Sequence, residues 1–237
     1  MNDYRFGFDS PDRLGVRPSA RLSAGFLSQT FGWMFAGLLL TAGVAFLVQS
    51  SSTLLQLAAG LAMPVVVVEL VVVFGLSFAI SRIPATVALG AFFLYAAVNG
   101  VLFGLITAFY PTANVAAAFL SASAMFGVAA VYGATTGRSL LSMGGLLTMG
   151  LVGLFVAMLV NVFLASSGLS FLISIVGVVL FTALTAYSTQ RIARGDFAAA
   201  FGSMEKASVY GALTLYLDFV NLFLMFLRLF GGGGRRG

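Results

Sequence analysis

Two carboxylates lie where a carboxylate is costly to keep: Glu69 in the apolar run 54–79 and Asp218 in the apolar run 208–230. An acid at bilayer depth costs about 3 kcal/mol on insertion scales, so each marks either a working site or a hydrogen bond that joins helices. Asp218 has company. Tyr210, Thr214, Asp218, Asn221 and Met225 recur every three or four residues, and Arg228 continues the same face, so that one helix carries one polar stripe. A helix surrounded by lipid has no use for such a stripe, and this one is therefore expected to be central, with the stripe toward a polar interior. Thr182, Thr185 and Thr189 show similar spacing in the preceding run, with Ser188 and Gln190 beside them. Asn99 and Asn161 are single polar residues, read as interhelical hydrogen bonds.

The rest of the chemical inventory is short. The chain contains no Cys and no His, which removes disulfides, thiolate and imidazole metal ligands and every His-based acid–base pair. An aspartic protease needs two deep aspartates, and only Asp218 is deep. A serine protease needs a base that a His-free chain lacks. A retinal receptor needs a lysine inside the last helix, whereas Lys206 precedes it, and no phosphate-binding Gly-rich loop is present. The expectation is therefore no enzyme and no resident cofactor.

The elements that must position these residues follow from composition. Of 237 residues 60% are hydrophobic and only 8% charged, against about a quarter charged in a soluble domain. Windows of about 19 residues give seven apolar spans, 29–48, 54–79, 86–109, 113–135, 142–164, 169–190 and 208–230. The expected architecture is an all-α seven-helix transmembrane bundle over residues 29–230, after a polar cytoplasmic tail, 1–28, and before a flexible Gly/Arg tail, 231–237. Arginines and lysine fall in the N-terminal tail and then, as Arg82, Arg138, Arg191, Arg194 and Lys206, in the links after spans two, four and six; the other links have none. That alternation places the N-terminus in the cytoplasm. Arg228, Arg235 and Arg236 fall on the outer side, so either the Gly-rich end is tolerated there or the last span stops short. The net charge of +5 is spread singly between apolar runs, without the aromatic-interleaved stripe of a nucleic-acid surface. Ala129, Gly133 and Gly137 form a small-residue row suited to close helix packing within the bundle, and Gly144, Gly145, Gly150 and Gly153 suggest the same role.

The stretch Leu215-Tyr216-Leu217-Asp218-Phe219-Val220-Asn221-Leu222-Phe223, followed by Leu227-Arg228-Leu229-Phe230-Gly231, resembles the last-helix signature of the Bax inhibitor family. Phe181 to Ile192, Glu69 and the seven-span layout agree with it. The resemblance implies six helices around a central seventh, and links to pH-sensitive calcium leak, to restraint of cell death in eukaryotes and, in bacteria, to a leak channel and to a partner of a membrane protease. In channel-like members two aspartates in the last two helices share a proton, and an arginine near the end of the second helix latches onto one of them. Asp218 matches the seventh-helix aspartate, but Ser188 occupies the sixth-helix position. Two close carboxylates hold one proton because both cannot ionise side by side; a serine supplies a hydroxyl and no second charge. Arg82 lies two residues beyond the latch position.

Two functions are expected from this reading. The first is a passive cation leak, for calcium, with Asp218 and Ser188 as ion pathway and pH sensor, Glu69, Asn221, Asn99, Thr214 and Arg82 in support, and a transient calcium ion held weakly at Asp218. The second is a non-conducting interaction protein that modulates a membrane protease or a stress or cell-death response. A transporter ranks third, for want of an inverted repeat. The compartment expected is a bacterial inner membrane, and the expected state is a monomer.

Overall fold

The computed structural model describes residues 20–79 and 82–231. The terminal stretches 1–19 and 232–237, which hold most of the two expected tails, lie outside the described residues. Among those described the chain is helical throughout: α1 (Ala20–Gln49), α2 (Ser52–Gly60), α3 (Ala62–Ala79), α4 (Ala85–Ala108), α5 (Thr112–Thr135), α6 (Gly144–Leu164), α7 (Ser167–Ala193), α8 (Asp196–Phe201) and α9 (Met204–Gly231). Six of these, α1, α4, α5, α6, α7 and α9, are long and apolar enough to cross a bilayer. Their ends follow local chemistry. Pro84 and Pro111 precede α4 and α5, and the Ser166 hydroxyl accepts from the Leu169 amide to cap α7. Gly195 and Gly202 take positive φ, 76° and 61°, to fold the chain tightly around the short α8.

The second expected span is not one rod. It is the pair α2 and α3, bent by 67°. Pro64 explains the break, because its ring would collide with the Gly60 carbonyl four residues back if α2 ran straight on. Proline is tolerated in the first turn of a new helix, and there α3 begins. The seven-rod layout therefore holds for six helices, with a broken span or re-entrant pair in the remaining place.

Helix α9 is the axis of the bundle. It packs against α1, α4, α5, α7 and α8, whereas α6 leans mainly on α7 and the bent pair on α1 and α4. Tyr216, Leu215, Leu222, Leu213, Met225 and Leu227 of α9 are fully buried, while the outer helices turn Phe46, Phe109, Val131, Met149 and Phe163 outward. An apolar exterior around a more polar axis is the burial pattern suited to a hydrocarbon solvent. With 28 residues, α9 extends about 42 Å, and the Phe230 carbonyl accepts from the Asn114 side chain at the start of α5, 3.1 Å away. The last span therefore reaches the end of the bundle where α4 turns into α5.

Small residues set the closest approach. A Cβ on Gly133 of α5 would land on the Ala186 carbonyl of α7, which places the small-residue row at a seam inside the bundle. Gly144 meets Tyr187 and Gly150 meets Leu180, both on α7, but Gly137, Gly145 and Gly153 face open space and have no such part.

Candidate functional site

Asp218 stands midway along α9 and is 6% exposed. Its carboxylate has Ser188 of α7 as side-chain hydrogen-bond partner, while Oδ2 has no partner. The two positions singled out by motif are thus neighbours in space. Thr189 Oγ1, next along α7, is the other buried side-chain oxygen without a partner among the described residues. Such orphaned oxygens are uncommon, because each loses hydration without replacement. The polar stripe of α9 turns toward α7 and α8: Met225 packs where Gly177 lacks a side chain, and Tyr210 lies edge-on to Phe197 at 4.9 Å.

The supporting residues separate into two groups. Thr214 and Asn221 satisfy themselves on their own helix, donating to the Tyr210 and Leu217 carbonyls at 2.9 and 2.8 Å. Thr182 and Thr185 do the same toward Val178 and Phe181. Glu69 and Asn99 instead join a second cluster. Tyr216, two residues from Asp218 and so on the opposite side of α9, is hydrogen-bonded with Thr41 of α1 at 2.7 Å. The Thr41 hydroxyl has a single proton and reaches the Ala96 and Gly37 carbonyls at 2.8 and 3.0 Å, so Tyr216 is the donor to Thr41. Tyr95 pairs with Asn99 and lies edge-on to Tyr216, and Glu69 is close enough for its charge to act on both phenols. Glu69 is therefore no helper of Asp218: the body of α9 stands between their clusters. Sequence reasoning missed Thr41, Tyr95 and Tyr216. A phenol in mid-span was the available signal, since its hydroxyl must find a partner at that depth.

Arg82 is exposed at the start of the link into α4, and among the described residues no contact joins it to Asp218 or Ser188. Gln190, two residues beyond Ser188, has a structural part. Its Oε1 accepts from the Leu140 amide at 2.7 Å and its Nε2 donates to the Arg138 carbonyl at 2.8 Å, which pins the α5–α6 link to α7. Arg194 donates to Ser139 Oγ beside it, and Arg191 pairs with Asp196 at 3.9 Å over the Phe197 ring. Arg138, Arg191 and Arg194 thus gather at one end of the bundle. No three acids converge to form a metal cage among the described residues. The site can supply one carboxylate and a few hydroxyls on a helix-to-helix seam.

Residues 23–235 match the family described as inhibitor of apoptosis-promoting Bax1. The inner membrane protein YbhL of Escherichia coli strain K12 is 39% identical over 222 residues, 91% of this chain and 94% of that one. A Deinococcus radiodurans protein is 42% identical over 205 residues, covering 86% and 89% of the two chains. YrjE of Lactococcus lactis is 36% identical over the full length of both. With the last-helix signature in place on a buried axial helix, and relatives aligned almost from end to end, the chain belongs to the Bax inhibitor family of membrane proteins.

Proposed function

We propose that this protein is a passive cation leak of a bacterial inner membrane, carrying calcium past Asp218, with its N-terminus in the cytoplasm. The supporting observation is the state of Asp218 itself: an axial carboxylate, buried, with one oxygen left without a partner. An acid kept this way costs stability, and transit of a cation accounts for its retention. Calcium takes six to eight oxygen ligands. One carboxylate with Ser188 and neighbouring hydroxyls offers fewer, which suits conduction, where binding must be weak enough to release. The arrangement is closed at this level, so flux requires α7 and α9 to part around the pair.

The test is calcium entry into liposomes as a function of pH. Protonation removes the Asp218 charge from the proposed route, so flux falls on acidification, and Asp218→Asn gives low flux that no longer varies with pH. Ser188→Asp builds a pair that shares a proton and adds a second pH-dependent step. Unchanged flux in Asp218→Asn ends the reading. The location rests on the basic links gathered at one end, as the positive-inside rule requires, and on the likeness to YbhL, an inner membrane protein.

One observation favours a second reading, a non-conducting protein that modulates a membrane protease or stress response. Thr214 and Asn221 each donate to a carbonyl of their own helix and not across to α7. That reading expects purified protein that leaks nothing and co-isolates with a partner through residues 191–206.

A further inference from the structure

At the end of the bundle opposite the basic links, a cavity of about 210 Å³ opens between α6, α7 and α9, lined by Met158, Asn161, Val162, Ser170, Ile173 and Arg228. Its polar side consists of donors without acceptors. Arg228 has no carboxylate partner among the described residues and makes a weak approach to Met158 Sδ at 3.5 Å. Asn161 Oδ1 is occupied by the Ser166 amide at 3.1 Å, which leaves the Nδ2 hydrogens unpaired. The Ser170 hydroxyl has no hydrogen-bond partner among the described residues, although the Ser170 carbonyl accepts from Ser174. A guanidinium, an amide and a hydroxyl in one cavity select an anion with several oxygens.

The rest of the wall is apolar, and the location decides between sources of that anion. Asn161 lies in the last turn of α6, Ser170 in the first turn of α7 and Arg228 in the last turn of α9, so the cavity sits at a membrane boundary. Below it α6 presents Phe155, Leu159 and Val162, all exposed, as a surface for a hydrocarbon chain. We propose that this cavity is a binding site for the phosphodiester headgroup of an anionic phospholipid, with Arg228, Asn161 and Ser170 on the phosphate and an acyl chain along α6. The volume admits a headgroup phosphate and its glycerol carbon, not a whole lipid. A snorkelling arginine would meet headgroups without a cavity, and the variants below separate the two.

The test uses the full-length protein in detergent with added phosphatidylglycerol or phosphatidylcholine, read by native mass spectrometry. Wild type is expected to retain one phosphatidylglycerol and to prefer it over phosphatidylcholine by about tenfold, because both carry the phosphodiester but the choline cation of phosphatidylcholine is repelled by the Arg228 guanidinium. Arg228→Gln removes that preference. Val162→Trp, at the exposed rim, fills the cavity while keeping the charge and also abolishes retention; Arg138→Gln, at the other end, leaves it intact. Retention that survives Val162→Trp reveals general snorkelling and overturns the proposal. So does equal loss in Arg138→Gln, or displacement of the lipid by millimolar inorganic phosphate, which would mark a free-anion site.

Discussion

At Tyr216 and Thr41 the hydrogen-bond inventory determines a direction. Thr41 can lose Tyr216 and still donate to the Ala96 carbonyl, so Tyr216→Phe forfeits one bond and costs about 1 kcal/mol. Thr41→Val strands a fully buried phenol hydroxyl, and the cost rises to about 2 kcal/mol or more. Unfolding titrations in mixed micelles measure both. Equal costs would mean that the donor assignment is reversed. The same inventory separates Asp218 from its stripe: the carboxylate keeps a fully buried oxygen without a partner among the described residues, whereas Thr214 and Asn221 each donate to a carbonyl of their own helix. This difference singles out Asp218, and not the stripe as a whole, as the proposed site.

Among elements, α5 and α7 approach closely, and Gly133 is the reason. Its missing side chain lets the Ala186 carbonyl occupy the space of a Cβ. Gly133→Ala must push α5 away from the helix that carries Ser188, at about 1–3 kcal/mol of overpacking. Gly127, six residues earlier on the same helix, has nothing within 4 Å, so Gly127→Ala should leave stability unchanged or raise it by up to about 1 kcal/mol. Thermal denaturation of the two variants in one detergent tests the contrast, and similar values would remove the seam. A shifted α5 also bears on Phe126 and Phe119, which lie edge-on to Phe219 beside Asp218, so Gly133→Ala is the variant in which altered flux and altered stability should appear together.

For the whole molecule the question is sidedness. The α5–α6 link is tied to the end of α7 by Gln190, and the end of α9 is tied to the start of α5 by Asn114, so the two ends of the bundle are distinct in charge. Because the chain has no cysteine, single-cysteine labelling is clean. In intact cells an impermeant thiol reagent should label Ser167→Cys and leave Gly137→Cys unmodified until the membrane is opened; the reverse pattern would invert the proposed topology. The end proposed as outer holds Arg228, and the proposed lipid site would give that cation a use that the positive-inside rule alone does not.

Apolar content, span positions and the alternation of charged links were legible along the chain because hydropathy and charge are local sums, and bilayer thickness converts them directly into helices. Asp218 and Ser188 were legible as a pair through the motif that spaces them. Three features were not. Pro64 was absorbed into a long apolar window, although its backbone clash bends the second span; Glu69 was grouped with Asp218, although the two lie on different sides of α9; and the Thr41–Tyr216 bond joins residues 175 positions apart. Which faces of two helices meet depends on where small residues let backbones approach, as at Gly133, and on the rotation this imposes on each rod. Those are properties of packed pairs of helices, decided only when the bundle closes around α9.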